Sequence, residues 1–163
     1  MARTTPEIEI IIADARWRRA VRGVAAWSRA AADAALAAAP AKARAGAVRI
    51  ALAADRRLKT LNRDFRGIDK ATNVLSFPDE QGGDVAIALE TVRREARGQG
   101  KTTRAHLAHM VVHGVLHLCG YDHGRPRPAA RMERLERRAL AQLGVADPYA
   151  ETAPAPARKE RRR

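Results

Sequence analysis

Cysteine is nearly absent from the 163-residue sequence: Cys119 stands alone, so the chain cannot form an internal disulfide. This is typical of proteins that fold in a reducing compartment. Long apolar runs are also absent, since no stretch approaches the roughly 18 residues of a membrane-spanning helix. The N-terminal stretch MARTTPEIEIIIAD interrupts its apolar residues with acidic ones, unlike a signal peptide. We therefore expect a cytoplasmic protein that does not enter a membrane.

Aromatic and acidic residues are both scarce. The sequence has two each of Trp, Tyr and Phe, scattered along the chain, so stacking of bases on an aromatic platform is not expected. Its 18 acidic residues face 31 lysines and arginines, a formal net charge of +13. The final stretch ARKERRR contributes five basic residues and one acid, so +13 − 4 leaves +9 elsewhere. A polyanion, nucleic acid foremost, is the expected partner, although charge alone does not separate RNA, DNA and membrane surfaces.

Apolar periodicity predicts interleaved strands and helices. We predict an α/β (α+β) fold for residues 1–150, with about four strands in a mixed sheet packed with about five helices. Beyond it, residues 151–163 read as a disordered basic tail. The predicted strands are EIEIIIAD (7–14), AVRIALAAD (47–55), NVLSF (73–77) and DVAIA (84–88). The predicted helices are 17–39 (one helix or a pair), 55–66 with Asp55 as its N-cap, 89–97, 102–118 and 129–144.

All five histidines lie within one short stretch, at positions 106, 109, 113, 117 and 123. Positions four apart on a helix share a face, so His113 and His117 can bind one metal ion together. Gly120 ends the helix and allows the chain to turn back, which makes His123 the third ligand. Three neutral imidazoles favour one Zn²⁺ and leave its fourth position open, as in catalytic rather than structural sites.

The other two histidines and the cysteine receive different assignments. His109 lies on the same face one turn earlier and is the rival ligand, but three successive turns of a straight helix cannot all reach one ion. We therefore expect His109 to support a ligand or to contact the substrate. His106 is expected at the surface or the rim of the site. Cys119 is expected to be a small buried packing residue.

The spacing H-x3-H-x5-H is also that of the metzincin zinc peptidases, in which a glutamate follows the first histidine and acts as general base. Here that position is Gly114. The spacing therefore indicates a zinc hydrolase, while the missing carboxylate argues against a peptidase. Asp122 is the nearest acid, and it either accepts a proton, caps the turn or orients a histidine.

Five segments together carry a specific resemblance: LNRDFRGIDKATNVLSFP, GGDVAIALETVRREA, HGVLHLCGYDH, RMERLERRALAQLG and GVADPY. In this order, over roughly residues 7–150, the sequence resembles the YbeY family of metal-dependent endoribonucleases, which are bacterial rRNA maturation factors. Two features depart from the family pattern. The loop from Pro78 to Asp84 is short, and ARKERRR is an extension.

The resemblance implies a small α/β domain with one zinc ion held by His113, His117 and His123. It implies cleavage of single-stranded RNA in rRNA maturation, including the 3′ end of small-subunit rRNA, and in ribosome quality control. The implied partners are rRNA, the small ribosomal subunit and its assembly factors. In the family, the arginine of LN-x-x-[FY]-R is linked to activity, and it falls here on Arg66.

Chemistry at a phosphodiester gives these residues their expected roles. Negative charge grows on the phosphate during attack, and the planar fork of Arg66 suits a bidentate contact with it. We expect Arg66 and His113 to be catalytic, and Arg66 and His109 to bind substrate. The nucleophile is either a water activated at the zinc or the RNA 2′-hydroxyl. The polar stretch 69–73 and Ser76 are candidate cleft residues.

The sequence is compatible with two alternatives. One is a ribosome-associated RNA-binding assembly factor whose zinc is structural and whose nuclease activity is small. The other, a zinc hydrolase of peptides or small molecules, is disfavoured by Gly114 and by the charge. A track of basic residues before the metal helix is a further candidate RNA contact, unless GQGK interrupts it: Arg93, Arg94, Arg97, Lys101 and Arg104.

Overall fold

A four-stranded mixed sheet forms the centre of the fold. The computed structural model describes residues 5–43, 45–122 and 124–150. The strands are β1 (Glu7–Ile12), β2 (Ala47–Ala53), β3 (Val74–Asp79) and β4 (Gly82–Ala88), in the spatial order β1-β2-β4-β3. β1 and β4 pair with β2 in parallel, whereas β3 and β4 form an antiparallel hairpin. The predicted mixed sheet is confirmed.

Six α-helices surround the sheet within the described residues, where about five were predicted. The stretch predicted as one helix or a pair is two helices, which separate at Gly23 in the left-handed region with φ 63°. No helix among these residues has the length and apolarity needed to cross a bilayer. The helices are α1 (Arg16–Ala20), α2 (Val24–Ala38), α3 (Asp55–Arg66), α4 (Leu89–Gly98), α5 (Thr103–Leu118) and α6 (Pro126–Gln142).

The two faces of the sheet bury different clusters. Because side chains alternate along a strand, Val48, Ile50 and Leu52 of β2 point into the main core beneath α2 and α5. On the opposite face, Leu58 of α3 packs into a smaller cluster with Leu75 of β3. α3 thus crosses the far side of the sheet and ends near its β3 edge.

The central helix α5 packs closely against the sheet at Gly114. A Cβ at this position would lie 2.6 Å from Cγ1 of Val85, and the Ser76 hydroxyl donates to the Gly114 carbonyl at 3.1 Å. Position 114 therefore faces the sheet and has no room for the glutamate of a peptidase. The close approach also places the neighbouring residue His113 beside β3.

The N-cap assignment of Asp55 is wrong. α3 begins at Asp55 with Ala54 in the N-cap position, and the Asp55 carboxylate instead accepts from the backbone N–H (2.9 Å) and hydroxyl (2.7 Å) of Thr91 in α4. In return, Glu90 of α4 accepts from the Asp55 backbone N–H at 3.3 Å. Each helix therefore supplies the carboxylate that caps the other, because orphan N–H groups at a helix start need acceptors.

Candidate metal centre and adjoining cleft

A cleft of about 610 Å³ opens at the β3 edge of the sheet, between the end of α3 and the C-terminal half of α5. Three separate parts of the chain meet there: the end of α3 with the following loop, strand β3, and α5 with its following turn. Most of the lining is polar, which suits a charged or strongly hydrated ligand. The lining residues are Arg66, Thr72, Asn73, Val74, Ser76, Pro78, His113, His117 and Asp122.

His113 and His117 converge in this cleft, as their spacing predicted. Their Nε2 atoms lie 3.1 Å apart, and their rings meet edge to face with centroids 4.7 Å apart. Two imidazole nitrogens on one tetrahedral zinc, each at about 2.0–2.1 Å, would be separated by about 3.3 Å. The separation of the two nitrogens is therefore close to that of two ligands on one tetrahedral ion.

The turn after α5 returns to the cleft. Gly120 adopts φ 92°, a left-handed conformation that favours glycine, and Asp122 is among the cleft residues. The Asp122 carboxylate accepts from the Gly124 backbone N–H at 3.1 Å, which supports its assignment as a turn cap. His123, the predicted third ligand, lies outside the described residues.

Behind the histidine pair, Glu136 of α6 is fully buried and accepts three hydrogen bonds. Its Oε1 accepts from Nδ1 of His113 at 2.5 Å, and its Oε2 accepts from Nε2 of His109 at 3.1 Å. The Tyr149 hydroxyl donates to the same Oε2. The Glu136 carboxylate of α6 thus links α5, which carries the histidines, to the C-terminal segment that carries Tyr149.

The protonation of this network follows from its geometry. Burial raises the pKa of Glu136, but hydrogen bonds from His109, His113 and Tyr149 outweigh it and lower the pKa to about 2. The same burial and the Glu136 charge raise the pKa of the Tyr149 hydroxyl. Because an ionised carboxylate only accepts, His113 must carry its proton on Nδ1. The other ring nitrogen, Nε2, faces His117 and the cleft.

Glu136 was missed by the sequence interpretation, although a signal for it exists. It lies four residues after Met132 on the buried face of α6 that also carries Ala139. A lone carboxylate on an apolar helix face requires a buried partner, because an unpaired buried charge is strongly destabilising. The histidine-rich helix α5 was the obvious source of that partner.

His109, His113 and Glu136 bring possible ligand atoms within 4.8 Å of one another, so the described residues include a cluster with the chemistry to hold a metal ion. These atoms already bond to one another, however, and His109 is not among the cleft residues. Its ring lies behind His113, against Glu136 and, at 3.4 Å, the Tyr149 hydroxyl. This position favours the supporting role for His109 over contact with substrate.

Arg66 is exposed at the last position of α3 and faces the histidine pair across the cleft. The loop that follows is held from beneath by Asn62, which is 5% exposed. The Asn62 side-chain amide donates to the Lys70 carbonyl at 2.9 Å, and the Asn62 backbone carbonyl accepts from the Ile68 N–H at 3.2 Å. These bonds fix the backbone at the end of α3, where Arg66 lies. The exposed Arg66 guanidinium can bind a ligand in the cleft.

The rim assignment of His106 is wrong, because this residue is only 2% exposed. Its Nε2 lies 3.4 Å from Glu95, which also accepts from the Asn73 amide at 2.9 Å, so the pair anchors one cleft wall to α4. Burial lowers the pKa of His106, and Glu95 partly opposes the shift. Cys119 packs against the main core as predicted, but it is half-buried rather than buried.

The basic track before the metal helix is interrupted. α4 ends at Gly98 and α5 begins at Thr103, so the track is divided between α4, the linker that contains Lys101, and α5, and does not form one helix face. The Arg104 guanidinium stacks 3.9 Å above the Trp27 ring and donates to the Arg22 carbonyl at 3.1 Å. Arg104 is thus engaged in packing.

A mixed sheet with a histidine pair on one wall of a polar cleft and an arginine on the other defines a small α/β protein with donors for a metal ion and for an anion. The family comparison is more specific. The family described as Endoribonuclease YbeY matches residues 11–144. The chain belongs to this family, which confirms the resemblance stated from the sequence. It is accordingly a hydrolytic endoribonuclease.

Individual relatives support the same family assignment. An Endoribonuclease YbeY of Gluconobacter oxydans (strain 621H) is 48% identical over 145 residues, which cover 86% of each chain. One from Rhodopseudomonas palustris (strain BisA53) is 53% identical over 114 residues, covering 63% of this chain and 66% of that protein. A solution structure of TM1509 from Thermotoga maritima has a TM-score of 0.53 at 22% identity, covering 88% of this chain and 99% of that one. This last likeness supports the fold.

Proposed function

We propose that this protein is a zinc-dependent endoribonuclease that cleaves single-stranded or partly structured rRNA in the cytoplasm. Its tasks would be rRNA maturation, including the 3′ end of small-subunit rRNA, and ribosome quality control, in contact with the small subunit and its assembly factors. The observation that carries the proposal is the convergence of His113 and His117, with Nε2 atoms 3.1 Å apart, in a cleft that Arg66 also lines.

The donor chemistry of the cleft fits zinc. We assign His113, His117 and His123 as its three ligands, because neutral imidazoles are preferred zinc ligands and two of them already converge. Bound there, the ion would supply positive charge to the phosphate and lower the pKa of the attacking water or hydroxyl. The peptide-hydrolase alternative loses support, since the sheet fills the space that a glutamate at position 114 would need.

We assign Glu136 as a positioning residue rather than a ligand. Its carboxylate holds the Nδ1 proton of His113 and so aims the Nε2 lone pair into the cleft. A metal held by Glu136 and His109 would have to break hydrogen bonds that satisfy a fully buried carboxylate. His109, in this scheme, supports Glu136 from the side away from the substrate.

Arg66 is the proposed substrate-binding and catalytic cation of the cleft. Its guanidinium can donate two parallel hydrogen bonds to a phosphate, and charge of this kind is most effective where negative charge develops. Asn62 and the anchored loop hold the backbone from which it reaches. The protein therefore contributes a fixed histidine pair on one wall of the cleft and, on the other wall, an arginine that binds the phosphate.

Cleavage of a labelled single-stranded RNA by the zinc-loaded protein tests this function. We expect Arg66→Ala to lower kcat/KM by about 100-fold or more, which is the loss typical of one charge-stabilising donor. His113→Ala should abolish cleavage. The matched control is Arg63→Ala, which removes an exposed arginine of the same helix that pairs with its neighbour Asp64. It should cleave like the wild type.

Two outcomes would overturn the proposal. Equal residual cleavage in wild type and all variants would identify a contaminating nuclease. RNA binding that survives zinc removal undiminished, in a domain that unfolds more easily and never cleaves, would favour the assembly factor with a structural zinc.

A further inference from the structure

The exposed face of α6 carries a row of arginines that the cleft does not use. Arg127, Arg131, Arg134 and Arg138 follow one another at steps of four, three and four residues. On a helix with 3.6 residues per turn, such steps keep all four within about 60° of one another. All four are exposed. We call these four residues the arginine stripe.

The arginine stripe lies directly opposite the buried side of α6, which carries Met132, Glu136, Ala139 and Leu140. The two acids of the helix do not face it, because Glu136 is fully buried and Glu133 is half-buried at its flank. Within the described residues, none of the four arginines has an acid within ion-pair distance. The stripe is therefore a surface of one sign without internal compensation.

The stripe belongs to a helix that adjoins the histidine cluster. Asp122 lines the cleft, and α6 begins soon after it at Pro126. The middle of α6 contacts the metal centre, since Glu136 bonds to His113. From Arg127 to Arg138 the stripe spans about 16 Å at 1.5 Å per residue, so it passes the metal centre on the outer side of the helix.

We propose that the arginine stripe binds the phosphate backbone of the RNA substrate outside the cleft, as an extension of the active site. The inference rests on the proposed function, because it takes the substrate to be RNA. Phosphates of one duplex strand recur about every 3.4 Å along the axis, so a stripe of about 16 Å can contact several of them. Contacts to phosphate position a nucleic acid without reading its sequence.

The remaining chemistry of the helix favours RNA over a membrane. A helix that lies on a lipid surface buries an apolar face in it, whereas the apolar face of α6 is already packed against α2 and α5. Of the described aromatic residues, none lies on α6, so binding would depend on charge rather than on stacked bases. For purely electrostatic binding, log K should fall linearly with the logarithm of the salt concentration, with a slope set by the number of phosphate contacts.

The experiment measures binding of a labelled single-stranded RNA of about 30 nucleotides at a series of salt concentrations. The stripe variant and its control are both made in full-length His113→Ala protein, which prevents cleavage. The test variant changes all four stripe arginines to alanine, which favours helix. Each lost phosphate contact should reduce the slope of log K against log salt by about 0.7, giving a total loss of about 2 to 3. The matched control changes four exposed, ion-pair-free arginines on other helices to alanine: Arg18, Arg19, Arg56 and Arg57.

The control should keep the parental slope. Equal slope changes in both variants would show that only total charge matters, and an unchanged slope in the stripe variant would contradict the proposal directly. So would unchanged RNA binding combined with lost binding to anionic vesicles or to poly-glutamate, which would identify a membrane or an acidic protein as the partner. Since the readout is binding, the stripe can be confirmed even if wild-type protein fails to cleave, and only the proposed function would then fall.

Discussion

At the scale of single residues, Glu136 has the most consequential surroundings. It holds His113 by Nδ1 and is itself held by His109 and Tyr149. Glu136→Gln retains the shape but places an amide donor or a weaker acceptor where three donors converge. We expect zinc affinity to fall by about 10- to 100-fold, the usual cost of losing such a supporting carboxylate, as measured by competition with a chelator.

Glu133→Gln provides the control for this prediction. Glu133 precedes Glu136 by three residues on the same helix and is half-buried, but it has no hydrogen bond to the histidine network. Its variant should bind zinc like the wild type. Zinc affinity unchanged in Glu136→Gln would remove the positioning role. Complete loss of zinc binding, with His117→Ala still binding normally, would make Glu136 a ligand.

Individual residues of the site differ in how far the sequence predicts their position. The pairing of His113 and His117 follows from helix periodicity alone, because residues four apart are neighbours on any α-helix. The partners of Glu136 and His106 do not follow from it, since each partner comes from another helix. Arg66 enters through family resemblance, because nothing local distinguishes it from other exposed arginines.

At the scale of elements, Gly114 determines how closely α5 packs on the sheet. In Gly114→Ala, the new Cβ would meet Val85 at 2.6 Å, and Val85 is a stiff β-branched side chain with 1% exposure. Overpacking of this kind costs about 1–3 kcal/mol, which outweighs the gain of about 1 kcal/mol in helix propensity. We expect lower stability in urea unfolding.

The double variant Gly114→Ala with Val85→Ala tests the cause. Removing the valine methyl groups makes room for the new Cβ, so the two changes should be less destabilising together than their sum by at least about 0.5 kcal/mol. Strict additivity would mean that the contact with Val85 is not what restricts position 114.

Reciprocal capping couples α3 to α4. Asp55→Ala removes the acceptor for the Thr91 N–H and hydroxyl, and we expect a loss of about 0.5–2 kcal/mol of unfolding free energy, as for other capping residues. Asp64→Ala on the exposed side of α3 should change stability by less than about 0.5 kcal/mol. Comparable effects of the two substitutions in urea unfolding would contradict the capping role.

The elements themselves were largely predictable. Strand alternation, the hairpin at β3 and β4, and the helix stop at Gly120 are local signals, and the structure contains each of them. What the sequence misassigned was the partner of Asp55: a carboxylate at the start of a helix usually caps that helix, and only the packing of α3 beside α4 redirects it to Thr91.

At the scale of the whole molecule, the fold brings together residues that are far apart in sequence. Arg66 ends a helix on one face of the sheet, His113 and His117 lie on a helix of the other face, and they meet only at the β3 edge. Interleaved strands and helices predicted the class of fold, but not which edge would be open. Charge predicted a polyanionic partner, and the arginine stripe of α6 is the surface we propose for it.

The most direct test is a zinc titration of the metal-free protein in which bound zinc and RNA cleavage are followed together. The proposed function predicts that cleavage rises in proportion to bound zinc and reaches its plateau at one ion per chain, and that His117→Ala shifts the titration to higher zinc. Full cleavage by the metal-free protein, or a plateau that requires no zinc at the histidine cleft, would contradict it.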